Sequence, residues 1–358
     1  MTTYKGINGT AVQNYAGNIP NPVDGQVWYD STAADFKYQY PNLTTAGAWA
    51  TGGALNTGRN NVAGAGTTYT SSIVFGGNPP SNGTGVTESY NGTSWTEVAD
   101  LNTARRELAG AGTQTAALAI GGFSTPPDIK YANTETWNGT SWAEVGDLNT
   151  ARFQLAGAGT QTEALAFGGY IIPAVSALTE SFNGTSWTEL NDLNLGRRIL
   201  AGCGTNTSAL AFGGWSPYYA QTESWNGTSW VEVGDLNTAR RALSGAGANN
   251  TSALAFGGVG PPGTESALTE LWNGTSWTET SDLSGVRESA AGTGTATAAL
   301  CAGGSNPGGV TTATEEWSGP GQPVGAWATG GNLNTARNYI AGAGASNTAA
   351  LGFSGSPA

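Results

Sequence analysis

Short apolar runs that alternate with small or polar positions recur along the whole chain. In Ala117-Leu118-Ala119-Ile120 the two large side chains fall on one face and the two alanines on the other. That period of two is the mark of a β-strand. Sister runs place Leu165/Phe167, Leu210/Phe212 and Leu254/Phe256 in the same pattern. A strand with one bulky and one small face is built to seat its bulk on the small face of a neighbouring sheet. Each run follows a tetrapeptide of Ala/Ser-Gly-Ala-Gly type, which predicts an innermost strand in a crowded ring. A Thr-Glu-x-aromatic stretch predicts a third strand, and a Ser-Trp pair opens a fourth. Between these two lies Asn-Gly, at Asn91, Asn138, Asn183, Asn226 and Asn273. Asn-Gly favours a two-residue hairpin turn because both central residues need positive φ. Its accompanying Asn-Gly-Thr sequon is explained by the turn.

These elements repeat with fixed internal spacing. Trp49, Trp95, Trp142, Trp187, Trp230, Trp277 and Trp327 are each followed ten residues later by an Arg, namely Arg59, Arg105, Arg152, Arg197, Arg240, Arg287 and Arg337. Four residues further on the small-residue runs begin, and successive copies lie 43 to 50 residues apart. One supersecondary unit copied in series explains this. Four antiparallel strands per copy make a propeller blade. The first copy lacks inner strands and the last lacks outer ones, so the sequence predicts an all-β, seven-bladed β-propeller. Its ring would be closed by N-terminal outer strands joining C-terminal inner strands, over residues 25–358. Residues 1–24, rich in Asn, Gly and Pro, have no repeat character and are expected to be a docking or anchoring arm.

The repeats resemble those of kelch propellers. The resemblance rests on the Gly-Gly pairs that close strand two, beginning at Gly76, Gly121, Gly168, Gly213, Gly257 and Gly303, with the aromatic of strand three and the Trp of strand four. Ser354 replaces the first Gly in the last copy. A second resemblance is shorter: the segment from Gly25 to Gln39 is similar to a hairpin near the start of many bacteriophage tail and fibre proteins. The Thr/Asn/Gly-rich wording of the repeats is similar to kelch-type phage virion proteins. Together these resemblances imply a virion component, assembled in the host cytoplasm.

Composition narrows the function. The formal charge is −12, with 13 basic against 25 acidic residues. Nucleic-acid binding is not expected, since phosphate contacts need a basic face. No apolar stretch approaches a membrane span and the N-terminus lacks an apolar signal core, so neither membrane insertion nor a signal peptide is expected. Cys203 and Cys301 fall in repeat strands where sister copies carry alanine, so they are expected as buried thiols.

Catalytic, metal and cofactor roles find no support. The chain has no His, which removes Ser-His-Asp triads and His-based metal sites, including the copper site of kelch-type oxidases. A carboxylate pair for glycoside hydrolysis must lie about 5 to 9 Å apart. The acids off the repeat register, chiefly Asp128, Glu163 and Glu265, are scattered. The seven register arginines could hold anions. Each blade with a complete third strand also supplies an acid, however: Glu88, Glu135, Glu180, Glu223, Glu270 and Glu315. Recurrence of both predicts a structural ring of ion pairs.

Recognition is expected where the copies differ. From the first Gly of the Gly-Gly pair to the next Trp the spacing runs from 17 to 24 residues, which puts the variation in the loop between strands two and three. Loops on a rigid scaffold are the usual place for binding. Three adjacent blades carry apolar loops there: Phe123, Ile129 and Tyr131; then Tyr170, Ile171 and Ile172; then Trp215, Tyr218 and Tyr219. The sequence therefore predicts a non-enzymatic virion component that contacts other virion proteins through residues 1–24 and offers this aromatic patch to a host-surface protein or glycan. A carbohydrate-binding lectin and an intracellular kelch scaffold are the alternatives.

Overall fold

A computed structural model describes residues 46–79 and 83–320, together with the backbone of short strands within 14–38 and 337–357. The chain divides into two compact units, Thr45–Gln322 and a second formed by Met1–Thr44 with Pro323–Ala358.

The first unit is a β-propeller of six blades. Blade 1 runs through Ala63–Thr68, Ser71–Phe75, Thr87–Tyr90 and Trp95–Val98 as a four-stranded antiparallel meander. Blades 2 to 5 repeat it from Ala109, Ala156, Ala201 and Ser244. Blade 6 takes three strands in order, Ala291–Thr295, Ala298–Ala302 and Thr314–Ser318. Its fourth strand is Ala48–Thr51, which sets Trp49 opposite Trp317.

The expected seven blades are thus corrected to six. Seven Trp-to-Arg motifs occur, but only six Thr-Glu strands, and a four-stranded blade needs one of each. The strand that fills the sixth blade lies in Gly47–Gly53, Gly-Ala-Trp-Ala-Thr-Gly-Gly, and residues 325–331 repeat those seven residues letter for letter. Among the described residues the Trp-to-Arg motifs thus account for six blades without the copy at Trp327. Trp327, Ser354 and residues 1–24 other than the strand Asn14–Tyr15, which pairs parallel with Tyr29–Asp30, lie outside the described residues, as does the side chain of Arg337. In the second unit Val27–Asp30 and Asp35–Tyr38 pair antiparallel.

Blade faces mesh as the alternation requires. Leu118 and Ile120 of blade 2 pack with Ala164 and Ala166 of blade 3, alongside Trp187. Six such clusters occupy the six interfaces, the last joining Leu300 and Ala302 of blade 6 to Val74 and Tyr90 of blade 1. Apolar burial of this kind supplies most of the stabilisation, roughly 25 cal/mol per Å². Near the axis no side chain fits: a Cβ on Gly110 would lie 2.4 Å from the Gly64 carbonyl oxygen, and one on Gly157 would lie 2.8 Å from that of Gly110.

A polar bolt accompanies each apolar interface. The indole N–H of every fourth-strand Trp donates to a third-strand Thr of the preceding blade: Trp142 to Thr87, Trp187 to Thr134, Trp230 to Thr179, Trp277 to Thr222, Trp49 to Thr269 and Trp95 to Thr314. These bonds measure 3.0 to 3.2 Å. Buried hydroxyls and indoles need such partners. The Thr of Thr-Glu is thereby explained.

Candidate functional site

The register arginines are consumed by the scaffold. Arg105 donates to Glu135 at 2.5 Å and to the Ala119 carbonyl at 3.1 Å, with both side chains fully buried. Glu135 also receives the Asn102 backbone N–H at 2.7 Å, the Asn102 side-chain amide at 2.9 Å and the Thr103 N–H at 3.2 Å. A carboxylate with this many donors can afford to be buried as an anion. The same arrangement joins Arg59 to Glu88, Arg152 to Glu180, Arg197 to Glu223, Arg240 to Glu270 and Arg287 to Glu315. Burial pulls the guanidinium of Arg105 down from its usual range, and Glu135 opposes that pull. Each pair ties the connection entering a blade to that blade's third strand. None of these arginines is open to a ligand.

The residue after each register Arg behaves differently. Asn60, Arg106, Phe153, Arg198, Arg241 and Glu288 each form a β-bridge to the residue after their own blade's Gly-Gly pair: Asn78, Phe123, Tyr170, Trp215, Val259 and Ser305. The next residue, at Asn61, Glu107, Gln154, Ile199, Ala242 and Ser289, has φ between 52° and 57°. Non-glycine residues rarely adopt this left-handed conformation, which costs of order 1 kcal/mol or more each. Here it is imposed by a closed circuit of backbone hydrogen bonds. The N–H of Glu107 reaches the carbonyl of Asn61, Gln154 reaches Glu107, Ile199 reaches Gln154, Ala242 reaches Ile199, Ser289 reaches Ala242, and Asn61 reaches Ser289. All six bonds are 2.8 to 3.0 Å long. The ring face thus carries one continuous backbone circuit, and its sectors differ in side chains and in the loop after each Gly-Gly pair.

Those side chains form an arc across blades 2 to 5. Phe123 stacks on Phe153, centroids 4.8 Å apart, and Phe153 meets Tyr170 edge-on at 5.5 Å. Arg106 lies 5.5 Å from the Phe123 centroid and Arg198 lies 4.1 Å from that of Tyr170. Arg241 sits 5.0 Å from the Trp215 ring and 5.9 Å from that of Tyr218, while Trp215 and Tyr218 make a T-shaped pair at 4.8 Å. Guanidinium over an aromatic face is worth about 0.5 to 2 kcal/mol. A side-chain chain runs beneath: Gln154 donates to Glu107 at 2.9 Å and accepts from Arg198 at 3.4 Å, with Arg106 3.7 Å from Glu107. Burial pushes the carboxyls of Glu107 and Glu288 upward, against the arginines beside them.

The structure gathers Phe123, Tyr170, Trp215 and Tyr218 into this arc, and Phe123 is nearly inaccessible at 9% exposure. The remaining patch residues stand apart from it. Blade 2 has no short loop there, because strands Ala116–Ser124 and Ile129–Trp137 run on as a long hairpin. Ile129 sits exposed beside its turn, and Tyr131 bonds to Ser124 at 2.9 Å. Ile171 pairs with Ala174, which leaves Ile172 exposed at the tip. Tyr219 donates to the Ser216 carbonyl. Sequence reasoning missed Arg106, Phe153, Arg198 and Arg241. The available signal was that the position after the invariant Arg reads Asn, Arg, Phe, Arg, Arg, Glu around the ring.

Among the described residues no group of three His, Cys, Asp or Glu could hold a metal ion. Neither a protein-family model nor a curated protein matches the chain.

Proposed function

We propose that this chain is a kelch-type propeller serving as a non-enzymatic component of a phage virion, holding a rigid face toward a host-surface protein or glycan. One observation carries the reading. Six blades repeat their core, ion pairs and Trp–Thr bolts, while the arc of Phe153, Tyr170, Arg198, Trp215 and Arg241 varies from blade to blade on a backbone held by the same bridge and circuit in each. Residues that differ on a scaffold that does not are the expected dress of a recognition surface. The virion assignment draws on the likeness of Gly25–Gln39 to phage tail-protein hairpins and on the antiparallel strands Val27–Asp30 and Asp35–Tyr38. In this reading residues 1–24 dock on other virion proteins.

Two measurements test it. Mass spectrometry of purified particles of the encoding phage should find the chain in fixed stoichiometry with the tail proteins, and particles without it would end the virion reading. Purified chain should adsorb to host cells, and Trp215→Ala should weaken adsorption without changing the melting temperature. Adsorption unaffected by Trp215→Ala would move attachment away from this face.

A further inference from the structure

The arc carries three arginines that the scaffold does not use. Every described register Arg is spent on a buried carboxylate. Arg106, Arg198 and Arg241 are the other described arginines, and each is partly exposed; their Nε atoms are closed off from solvent, as are those of Arg105, Arg152, Arg197 and Arg240, so only the terminal nitrogens can meet a ligand. Among the described residues Arg241 makes no hydrogen bond at all through its guanidinium, and Arg198 makes one long one, 3.4 Å to Gln154. Both lie over aromatic rings, Arg198 4.1 Å from the Tyr170 centroid and Arg241 5.0 Å from that of Trp215, which restricts where they can go. A guanidinium with terminal donors to spare is suited to bidentate recognition of an oxyanion.

The charge around them is unevenly placed. The segments Tyr170–Leu178 and Trp215–Gln221, which flank Arg198 and Arg241, contain no acidic residue. Glu107 acts on both Arg106 and Arg198, and Glu288, with Glu265 near it, acts on Arg241, so each arginine also has one acid neighbour outside those segments. In a chain of net charge −12, these arginines are the cations that the register ion pairs leave over among the described residues of the propeller blades, apart from Lys130.

Resting on the attachment reading above, we propose that Tyr170, Arg198, Trp215, Tyr218 and Arg241 form a site for an acidic oligosaccharide. Its carboxylates are received by Arg198 and Arg241, and its ring faces rest on the indole and phenols. A sugar is favoured over an acidic peptide by the backbone. The bridges from Arg198 to Trp215 and from Arg241 to Val259, with the closed circuit beside them, spend the backbone of these positions on the fold and not on a peptide. Recognition must run through guanidinium and aromatic faces, which suit a pyranose bearing an acid group.

The test is calorimetry on the full chain with four probes: a galacturonic acid hexamer, its methyl ester, a sulfated chondroitin hexasaccharide and hexaglutamate. Binding of an acidic sugar is expected to fall about tenfold or more in Arg198→Gln and in Arg241→Gln, since each removes one charge-assisted contact. The neutral ester should bind at least about tenfold more weakly than the free acid, and raising salt from about 50 to about 300 mM should weaken the acid further. Preference for the uronate over the chondroitin probe assigns carboxylate as the anion; chondroitin carries glucuronate as well as sulfate, so the reverse assigns sulfate only where the desulfated hexasaccharide loses the gain. Equal binding of ester and acid, arginine variants within about twofold of the native chain, tighter binding of hexaglutamate, or no binding of either acidic sugar overturns the proposal. Host adsorption that is lost in Trp215→Ala but kept in both arginine variants also overturns it, and leaves the attachment reading standing.

Discussion

Trp49 and Thr269 stand 220 residues apart in the chain, yet the indole N–H of one donates to the hydroxyl of the other at 3.1 Å. The bond bolts the N-terminal strand of blade 6 to blade 5, so the propeller's closure is sealed by the same contact that joins its other blades. Trp49→Phe or Thr269→Val should each cost about 1 to 2 kcal/mol, the worth of a hydrogen bond whose loss leaves a partner unsatisfied. The double variant should cost little more than either single one, because both remove the same contact. Guanidinium unfolding curves of the four proteins check this. Additive losses would show that the bond contributes nothing on its own.

Glu135 holds a buried charge for Arg105 and several further donors, so the pair should be intolerant of half-removal. Glu135→Gln leaves the guanidinium buried without its counter-charge and is expected to destabilise by about 3 to 5 kcal/mol. The double variant Arg105→Met with Glu135→Leu should recover a large part of that loss, since two apolar side chains need no compensation. Thermal melts of both variants decide the matter. Failure of the double variant to recover would mean that the Asn102 and Thr103 contacts to Glu135 matter more than the charge.

Much of this architecture was legible because it recurs. The Arg–Glu spacing and the large-against-small alternation of Leu118/Ile120 and Ala117/Ala119 each appear in several copies, so chance is averaged away. The Asn-Gly loop was expected as a two-residue turn and is corrected to four residues, Asn91–Ser94 in blade 1: only Gly92 has positive φ, and the Asn91 side-chain oxygen accepts from the N–H groups of Thr93 and Ser94. Recurrence also caused the blade count to be misread. The duplicate of Gly47–Gly53 at residues 325–331 looks like one more blade, although no seventh Thr-Glu strand accompanies it. The arc was hidden by the opposite cause. Arg106, Phe153, Arg198 and Arg241 share a position but not a residue type, and only the fold shows that the position faces the ring's mouth. The long hairpin of blade 2 was also invisible, because Gly121-Gly122 reads as a strand end where the chain instead continues through a bulge.

Tyr90 stands where most other blades carry Trp or Phe, and its hydroxyl donates to Glu316 at 2.6 Å while accepting from the Gly53 N–H at 3.1 Å. Burial, with Glu316 beside it, pushes the phenol from 10.0 up to about 12. A group whose folded pKa is raised contributes stability that is complete below its unfolded value. That stability should therefore be whole below about pH 10 and drain away as pH rises toward about 12. The buried thiols of Cys203 and Cys301, pushed up to about 12 and about 11, add to the same alkaline loss. Melting temperatures of the native chain and Tyr90→Phe, followed from pH 8 to pH 11 on the order of one unit apart, separate the terms. The native protein should lose more over this range than the variant. Parallel curves would remove Tyr90 from the alkaline transition.

The six blades need nothing beyond Ser318 to be complete, since the fourth strand of blade 6 comes from Ala48–Thr51. Their six apolar interfaces and six Trp–Thr bonds all lie within Thr45–Gln322. A chain ending at Gln322 should therefore fold, melt cooperatively and keep its unfolding free energy within about 1 kcal/mol, the scatter of ordinary surface changes. A chain that begins at Leu55 instead loses Trp49, its bond to Thr269 and its ring contacts with Phe256 and Trp317, centroids 4.9 and 5.3 Å away. Removing a large, half-buried aromatic of this kind costs about 3 to 5 kcal/mol. The chain that begins at Leu55 should also expose the edge of Thr314–Ser318, which invites pairing with another molecule. Circular dichroism melts with sedimentation of both truncations separate the cases. Collapse of the chain ending at Gln322, with survival of the one beginning at Leu55, would mean that the ring is closed from its C-terminal end.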